Sequence, residues 1–255
     1  CSHFKSTLPI SGNIKGTNYM TYINANQLSI STAHINKVLE SALPEHFEHG
    51  TTWYTQANKT CREIATLFKL PVSLVVGCLS AISPNNKYNK NVMDARNMCY
   101  AFVNRADTLD ETFANVKVST YGANKRKAIA IFDAYLASMV AGRPMTFTKR
   151  TVRRILNGQK VTAFFDCIYD CKTNVSTVCV DGHAKNIYLG YGNTKDRPAL
   201  GSASTNITKK QYKVISESYV RTAARYNKKH GANLLPYQVQ AITWVAHRVS
   251  CGIKG

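Results

Sequence analysis

Leu156-Asn157-Gly158-Gln159-Lys160 is a glycine turn between two short stretches that are typical of helices, residues 152–156 and 160–169. Glycine tolerates the backbone conformations of tight turns, so this stretch predicts two helices joined as a hairpin. Further along, Val178-Cys179-Val180-Asp181-Gly182-His183 delivers a carboxylate to a turn that can open another helix. The two stretches together place one amine and one carboxylate at predicted helix starts.

The helical period dominates most of the remaining chain. Apolar residues recur at helical spacing, and we find no sustained alternation of the kind that β-strands show. Pro44 is expected to end a first helix, and Asn58 and Pro71 to begin the next two. Further helices are predicted over 91–102, 125–141, 208–229 and 236–249. We therefore predict an all-α fold, with residues 1–30 as an irregular N-terminal arm and residues 31–255 as a helical domain.

The charge balance is strongly basic. Thirty-three Lys and Arg residues face fourteen Asp and Glu, which gives a net charge of +19 and a pI near 9.7. A folded chain this basic is typical of proteins that bind phosphate, because neutralising a DNA backbone releases condensed counterions. We therefore expect DNA as the partner. The alternative is a basic surface that serves only solubility.

The eight cysteines do not form a metal-binding pattern. Cys61, Cys78, Cys99 and Cys179 lie in apolar runs, and no C-x-x-C occurs. We expect reduced thiols in a cytoplasmic protein, with no metal and no small-molecule cofactor. No apolar run approaches the roughly 20 residues of a membrane span, so no membrane partner is expected either. We expect a monomer.

Four motifs follow one another in the chain. Ser83-Pro84-Asn85-Asn86 ends a predicted helix, four residues separate Gly122 from Lys127-Ala128, and the hairpin stretch and Val180-Asp181-Gly182-His183 come next. In this order they resemble the helix-hairpin-helix DNA glycosylase superfamily of the endonuclease III kind, over roughly residues 60–190. The chain is most similar to divergent phage-type members. It departs from the pattern in lacking the first glycine of the hairpin and the cysteine quartet that holds an iron–sulfur cluster in some relatives.

The resemblance implies a two-lobed fold with its active site in the cleft between the lobes. It implies that a base is flipped out of DNA and that its N-glycosidic bond is cleaved, with Asp181 stabilising the positive charge on the sugar. Lys160, if desolvated so that its pKa falls, would attack the sugar and add an AP lyase activity. The simpler interpretations are a helix N-cap for Asp181 and a phosphate contact for Lys160.

Other residues receive roles from the same comparison. Asn85 and Asn86 would fill the gap left by the extruded base, or else form an ordinary turn. Trp53, Tyr54 and Tyr88 would line the base pocket, although a core position is preferred for Trp53, and Trp244 is expected in the core. His183 would bind phosphate or pack rather than act as an acid. The remaining predicted DNA contacts are Lys125, Arg126, Lys127, Arg153, Arg154, Gly158, Gln159 and Lys185.

Two other functions stay open at this point. A phage enzyme on the same scaffold would modify bases, for instance by building a hypermodified thymine, and would act in the host cytoplasm. A non-enzymatic DNA-binding or host-interaction protein would keep the basic surface without turnover. The leading prediction remains a DNA glycosylase, and the sequence does not identify its target base.

Overall fold

The computed structural model describes residues 28–174, 176–191 and 207–252, and their regular structure is entirely helical. The predicted all-α class is therefore confirmed, while most of the predicted N-terminal arm lies outside the described residues. The helices are α1 (Ala33–Glu40), α2 (Pro44–Phe68), α3 (Val72–Ala81), α4 (Tyr88–Val103), α5 (Leu109–Ala114), α6 (Gly122–Val140), α7 (Lys149–Leu156), α8 (Gln159–Tyr169), α9 (Gly182–Leu189), α10 (Lys209–His230) and α11 (Pro236–Ser250), with a 3-10 turn at Pro144–Thr146.

Helix α1 ends at Glu40, ahead of Pro44, and Pro44 itself begins α2. The predicted start at Asn58 is wrong, because α2 runs without a break from Pro44 to Phe68. Pro44 occupies the first turn of α2, where backbone N–H groups have no intrahelical acceptor. The N–H that proline lacks is therefore not needed there, and the fixed φ of proline suits the helix. The buried face of the first half of α2 carries His46, Gly50 and Tyr54 instead of aliphatic residues. A search for aliphatic periodicity therefore does not recognise this half of the helix.

The buried apolar residues form two clusters. The larger one fills the space among α2 to α8, with Leu74, Phe132 and Phe165 among its fully buried side chains. The smaller one is built by α1, α9, α10 and α11 around Ile35 and Tyr219. Helix α11 contributes to both clusters and packs most extensively on α2. Long helices therefore connect the two cores.

An extended segment, residues 178–180, passes between the two clusters. Val178 and Val180 are buried in the smaller cluster, and Cys179, which points the other way, is buried in the larger one. Each buried valine contributes about 1.5–3 kcal/mol, and a shift by one residue would exchange the two faces. The Tyr212 hydroxyl fixes the same register, because it donates to Val178 O at 2.8 Å and accepts from Val180 N at 3.1 Å. The residue that follows this segment is Asp181.

No single described helix is long and apolar enough to cross a bilayer, although α2 and α3 pass that test together despite a bend of 119° between them.

Candidate functional site

Asp181 lies where the extended segment meets the first turn of α9. It is the N-cap of that helix, and its Oδ1 accepts a hydrogen bond from Ala184 N at 2.8 Å. The simpler interpretation of Asp181 as a helix cap is therefore confirmed. Capping engages only one carboxylate oxygen, and within the described part of the chain nothing donates a hydrogen bond to Oδ2. The side chain is half-buried, so it keeps contact with the surface.

Lys160 lies in the first turn of α8, close to the same segment. Its carbonyl oxygen is 3.7 Å from Cys179 Sγ. Burial raises the pKa of the Cys179 thiol to about 12, while the charge of Lys160 lowers this pKa and that of Asp181 raises it. The backbone of Lys160 therefore contacts the residue that lies two positions before Asp181. The desolvation that the lyase role of Lys160 requires is not seen here, because its side chain is exposed.

A cluster of aromatic rings borders this point, and we call it the ring cluster: Trp53, Tyr54, Tyr88, Phe164, Tyr237 and Trp244. The Trp53 ring lies at its centre, with centroids 4.8 Å from Tyr54, 5.0 Å from Tyr88, 5.9 Å from Phe164 and 6.2 Å from Trp244. Phe164 stands one helical turn after Lys160 on α8.

The rings differ in their exposure. Tyr54 is 3% exposed, and its hydroxyl donates to Gln240 Oε1 at 3.0 Å, so it forms the floor of the cluster. Trp53, Tyr88, Phe164 and Trp244 are half-buried. Trp244, which was expected in the core, is half-buried instead. Sequence analysis places Trp244 among aliphatic neighbours on α11, but its indole reaches past them to the surface.

Three further polar side chains adjoin the ring cluster. His183, two residues after Asp181, packs its ring edge-on to Trp244 at 6.2 Å, and its Nδ1 lies 3.2 Å from Nδ1 of His247. The Arg248 guanidinium stacks over Trp244 at 4.5 Å. Phe164, His247 and Arg248 were not predicted as site residues. The sequence of α11 holds a signal for the last two of them, because residues 244, 247, 248 and 251 recur at helical spacing and therefore share one face of the helix.

The predicted hairpin is present. Helices α7 and α8 are joined by Asn157 and Gly158 alone, and Asn157 has a left-handed backbone with φ of +39°. Gly158 is the N-cap of α8 and makes no side-chain cap, and Gln159 is the first helical residue. The first amides of α8 are therefore oriented toward the turn, where an anion is favoured.

A basic cleft of about 670 Å³ lies against the hairpin. Arg154 and Lys209 are exposed on it, whereas Arg153 Nη1 donates to Asp166 Oδ2 at 2.5 Å. Burial raises the pKa of Asp166, and the charges of Arg153 and Lys149 oppose that rise. The cleft is lined by Arg150, Arg153, Arg154, Asn157, Gly158, Gln159, Thr162, Ala163, Asp166, Thr177, Lys209 and Tyr212.

Several residues that were predicted to contact DNA are buried or contact other groups of the protein. Lys185 is 7% exposed, so the prediction that it binds phosphate at the surface is wrong. Lys127 Nζ donates to Leu156 O at 2.7 Å and so supports the end of α7. Lys125 Nζ lies 3.5 Å from Ala114 O. Arg126 lines a separate cavity with Asp110 and Asp133. Of the predicted basic contacts, Arg153 and Arg154 line the basic cleft.

The loop of residues 83–86 holds its two asparagines differently. Asn85 is exposed and has a left-handed backbone with φ of +57°. Asn86 turns inward, and its amide donates to Asp94 Oδ2 at 3.0 Å. The prediction that Asn86 enters DNA is therefore wrong, and Asn85 is at the tip. Tyr121, at 66% exposure, stands beside this loop, because its neighbour Thr120 donates to Pro84 O at 2.7 Å.

Within the described residues, no three His, Cys, Asp or Glu side chains are grouped so that they could hold a metal ion. The seven described cysteines are free thiols, and six of them are buried.

Comparison with known proteins gives one match. Neither a search of curated proteins nor a search of solved structures found a similar chain. A family model described as a family of unknown function (DUF7178) matches residues 19–251. Since this match covers most of the sequence, the chain belongs to the DUF7178 family.

Proposed function

We propose that this protein is a DNA glycosylase that flips a base out of DNA and cleaves its N-glycosidic bond at Asp181. The observation that carries the proposal is that the backbone of Lys160 contacts Cys179, two residues before the half-buried Asp181, beside half-buried aromatic rings. In this proposal the boundary between the two hydrophobic clusters corresponds to the cleft between two lobes.

The reaction requires a carboxylate beside the sugar. As the bond from C1′ to the base nitrogen breaks, its electron pair leaves with the base and the sugar ring becomes positively charged. Asp181 would stabilise this charge through Oδ2, while Ala184 N–H holds Oδ1 in place. Water then adds to C1′ and completes the hydrolysis.

Lys160 supplies an optional second step. Its amine nitrogen would attack C1′ in place of water and, after the sugar ring opens, form a Schiff base that permits strand cleavage. The amine is exposed to solvent in the free protein. The lyase step therefore requires bound DNA to cover Lys160 and displace its water.

The surfaces around Asp181 fit a flipped nucleotide. Trp53, Tyr88, Phe164 and Trp244 offer ring faces for the extruded base, since base–aromatic stacking contributes about 1–3 kcal/mol. The hairpin amides and the basic cleft would bind the phosphates on one side. Asn85, with Tyr121 beside it, would fill the gap in the base stack.

The first test is base release from DNA. Single- and double-stranded oligonucleotides that carry a panel of damaged and modified bases are incubated with the protein, and mass spectrometry identifies the released bases. Asp181→Asn is expected to slow release at least about 100-fold with little change in DNA affinity, because it removes a charge used in the transition state. Asp133→Asn, an exposed aspartate on α6, is the matched control. The proposal fails if the parent releases no base or if Asp181→Asn releases it at the parent rate.

The second test separates the lyase step from base release. Borohydride reduces a Schiff base to a stable amine, so the parent should become covalently linked to its DNA substrate and Lys160→Ala should not. Lys37→Ala, which removes an exposed lysine on α1, should leave the adduct unchanged. Base release without any adduct would show that the enzyme uses water alone.

The same assays discriminate the other two functions. Altered nucleosides without abasic sites would indicate base modification on this scaffold. Salt-sensitive DNA binding that survives Asp181→Ala, without turnover on any base, would indicate a binding protein.

A further inference from the structure

Gln240 is a buried amide at the floor of the ring cluster. It lies on α11, only 5% of it is exposed, and its Oε1 accepts a hydrogen bond from the Tyr54 hydroxyl at 3.0 Å. Tyr54 packs edge-on against Trp53, with ring centroids 4.8 Å apart. Trp244 follows Gln240 by one helical turn, a spacing at which side chains are neighbours. The amide therefore lies among the rings that would stack on an extruded base.

The Tyr54 hydroxyl determines which end of this amide is presented. Burial raises the pKa of Tyr54 well above its usual value, so the hydroxyl keeps its hydrogen and can donate it to Oε1. The other end of the amide, Nε2, carries two N–H groups and cannot accept.

The Gln240 Nε2 atom is available to a ligand. Within the described residues nothing accepts a hydrogen bond from it. It is also not among the polar atoms of the described chain that are sealed from solvent without a partner. The N–H groups of Gln240 therefore meet solvent in the free protein, although the residue as a whole is buried.

An amide that presents only donors distinguishes two classes of base. Thymine, uracil, guanine and hypoxanthine carry a carbonyl oxygen at C4 or C6, which can accept a hydrogen bond from Nε2. Cytosine and adenine carry an amino group at the corresponding position, and its N–H groups would face those of the amide. Aromatic rings stack on both classes, because every base has a π-face. The choice between the two classes therefore requires a polar group such as this amide.

We propose that Gln240 is the specificity-determining residue of the base pocket and selects bases that carry a carbonyl oxygen where cytosine and adenine carry an amino group. This inference rests on the proposed glycosylase function and names the substrate class of the same site. Asp181 acts on the sugar, whereas Gln240 acts only on the choice of base. A base of the other class leaves a buried donor unpaired, so we expect a preference of about 10- to 100-fold.

Nucleoside binding tests this selection without any cleavage. Deoxyuridine with deoxycytidine, and deoxyinosine with deoxyadenosine, are pairs of similar size that differ at this edge of the base. NMR titration of the nitrogen-labelled protein gives the Kd of each nucleoside and shows whether the Gln240 side-chain amide signals shift. The carbonyl member of each pair should bind about 10- to 100-fold more tightly and shift those signals. Equal binding of both members, or binding of neither, would overturn the inference.

Two variants at position 240 separate recognition from packing. Gln240→Glu replaces the presented donor by an acceptor, so the preference should reverse toward deoxycytidine and deoxyadenosine. Gln240→Met keeps the length of the side chain and removes the donor, so both members of a pair should bind alike. Gln56→Glu, on the exposed face of α2, should keep the parent preference. Equal unfolding midpoints would establish that the variants fold, and a parent-like preference in folded Gln240→Met would contradict the proposal.

Tyr54→Phe tests the orientation of the amide while Gln240 itself is unchanged. Without the hydroxyl, Oε1 has lost its donor and the amide can present either end. The preference should therefore largely disappear, while binding of the amino member should improve. If the parent preference persists in this variant, the hydroxyl does not select the donor end and the inference is wrong.

Base release distinguishes this inference from the proposed function. The base that the parent releases from DNA should belong to the carbonyl class, and Gln240→Met should lower kcat/KM for it about 10- to 100-fold. Release by Gln240→Met at the parent rate and with the parent selectivity would overturn the role of Gln240 and leave the glycosylase function standing. A parent that releases no base would overturn the glycosylase function, and the nucleoside preferences would still decide the role of Gln240.

Discussion

At the scale of single residues, Asp94 connects two loops of the candidate site. It is fully buried and accepts hydrogen bonds from Lys90 at 2.6 Å, Ser119 N at 2.7 Å and Asn86 at 3.0 Å. Burial raises the pKa of Asp94, but these hydrogen bonds outweigh burial, and the net pKa is lowered. The carboxylate thus fixes the loop that carries Asn85 against the loop that carries Tyr121.

Asp94→Asn is expected to lower the free energy of unfolding by about 1–3 kcal/mol at pH 7, because it removes hydrogen bonds to a buried charge. A lowered pKa means that the stabilisation is complete above the pKa of an unfolded aspartate, about 3.9. It is lost as pH falls through the lower pKa of the folded protein. Urea unfolding at several pH values should therefore show the two proteins converging in acid. The exposed Asp107→Asn should match the parent throughout, and a constant difference down to pH 2 would contradict the argument.

The individual site residues were predictable to different degrees. Asp181 could be found because a cap after an apolar run is a local pattern. The inward turn of Asn86 could not, since it depends on Asp94 eight residues later and on Ser119 beyond that. His247 is likewise a partner across 64 positions of sequence. Residues recruited by tertiary contacts leave little trace in one sequence.

At the scale of helices, the crossing of α2 and α11 determines how the two cores meet. Gly50 allows this approach: a Cβ atom there would lie 2.5 Å from both Cα and N of Ile242. Those are backbone atoms of a buried helix, so they cannot rotate away as a side chain would. The larger core, the smaller core and the ring cluster all include residues of α11.

Gly50→Ala is expected to destabilise the protein by about 1–3 kcal/mol in urea unfolding. Alanine would gain about 1 kcal/mol of helix propensity, but the clash with the backbone should exceed this gain. Gly122→Ala is the control, because the nearest atom to its added Cβ is the end of a flexible arginine, at 3.6 Å. If Gly50→Ala proved as stable as the parent, the helices would have to pack less closely than described.

The hairpin and α2 show why helix prediction succeeded in one place and failed in the other. The hairpin was predictable because a glycine turn and two apolar runs are local signals. The first half of α2 was not predicted as helix, because it buries Gly50 and His46, which resemble loop residues in sequence. Their burial depends on α11, almost two hundred positions away.

At the scale of the whole molecule, only some of the basic side chains behind the net charge of +19 are available to bind phosphate. Lys149 and Arg153 are paired with Asp170 and Asp166 on one side of the basic cleft. Arg154 and Lys209 are exposed on its lining. Duplex DNA should therefore follow the cleft, with these two side chains among its phosphate contacts.

Arg154→Gln and Lys209→Gln should each weaken DNA binding and reduce the steepness of log affinity against log salt by about 0.9, the value for one lost phosphate contact. Fluorescence anisotropy at several salt concentrations measures both quantities. Lys37→Gln removes the same charge from α1 and should leave the slope unchanged. An equal change in slope for Lys37 would place the DNA elsewhere.

The chain contains two tryptophans, and both belong to the ring cluster, 6.2 Å apart. The tryptophan emission of the protein therefore originates at the candidate site. A base that stacks on either indole, or displaces Arg248 from Trp244, would quench or shift this emission. Stopped-flow recordings on unlabelled protein can thus time the arrival of a nucleotide before its chemical identity is known.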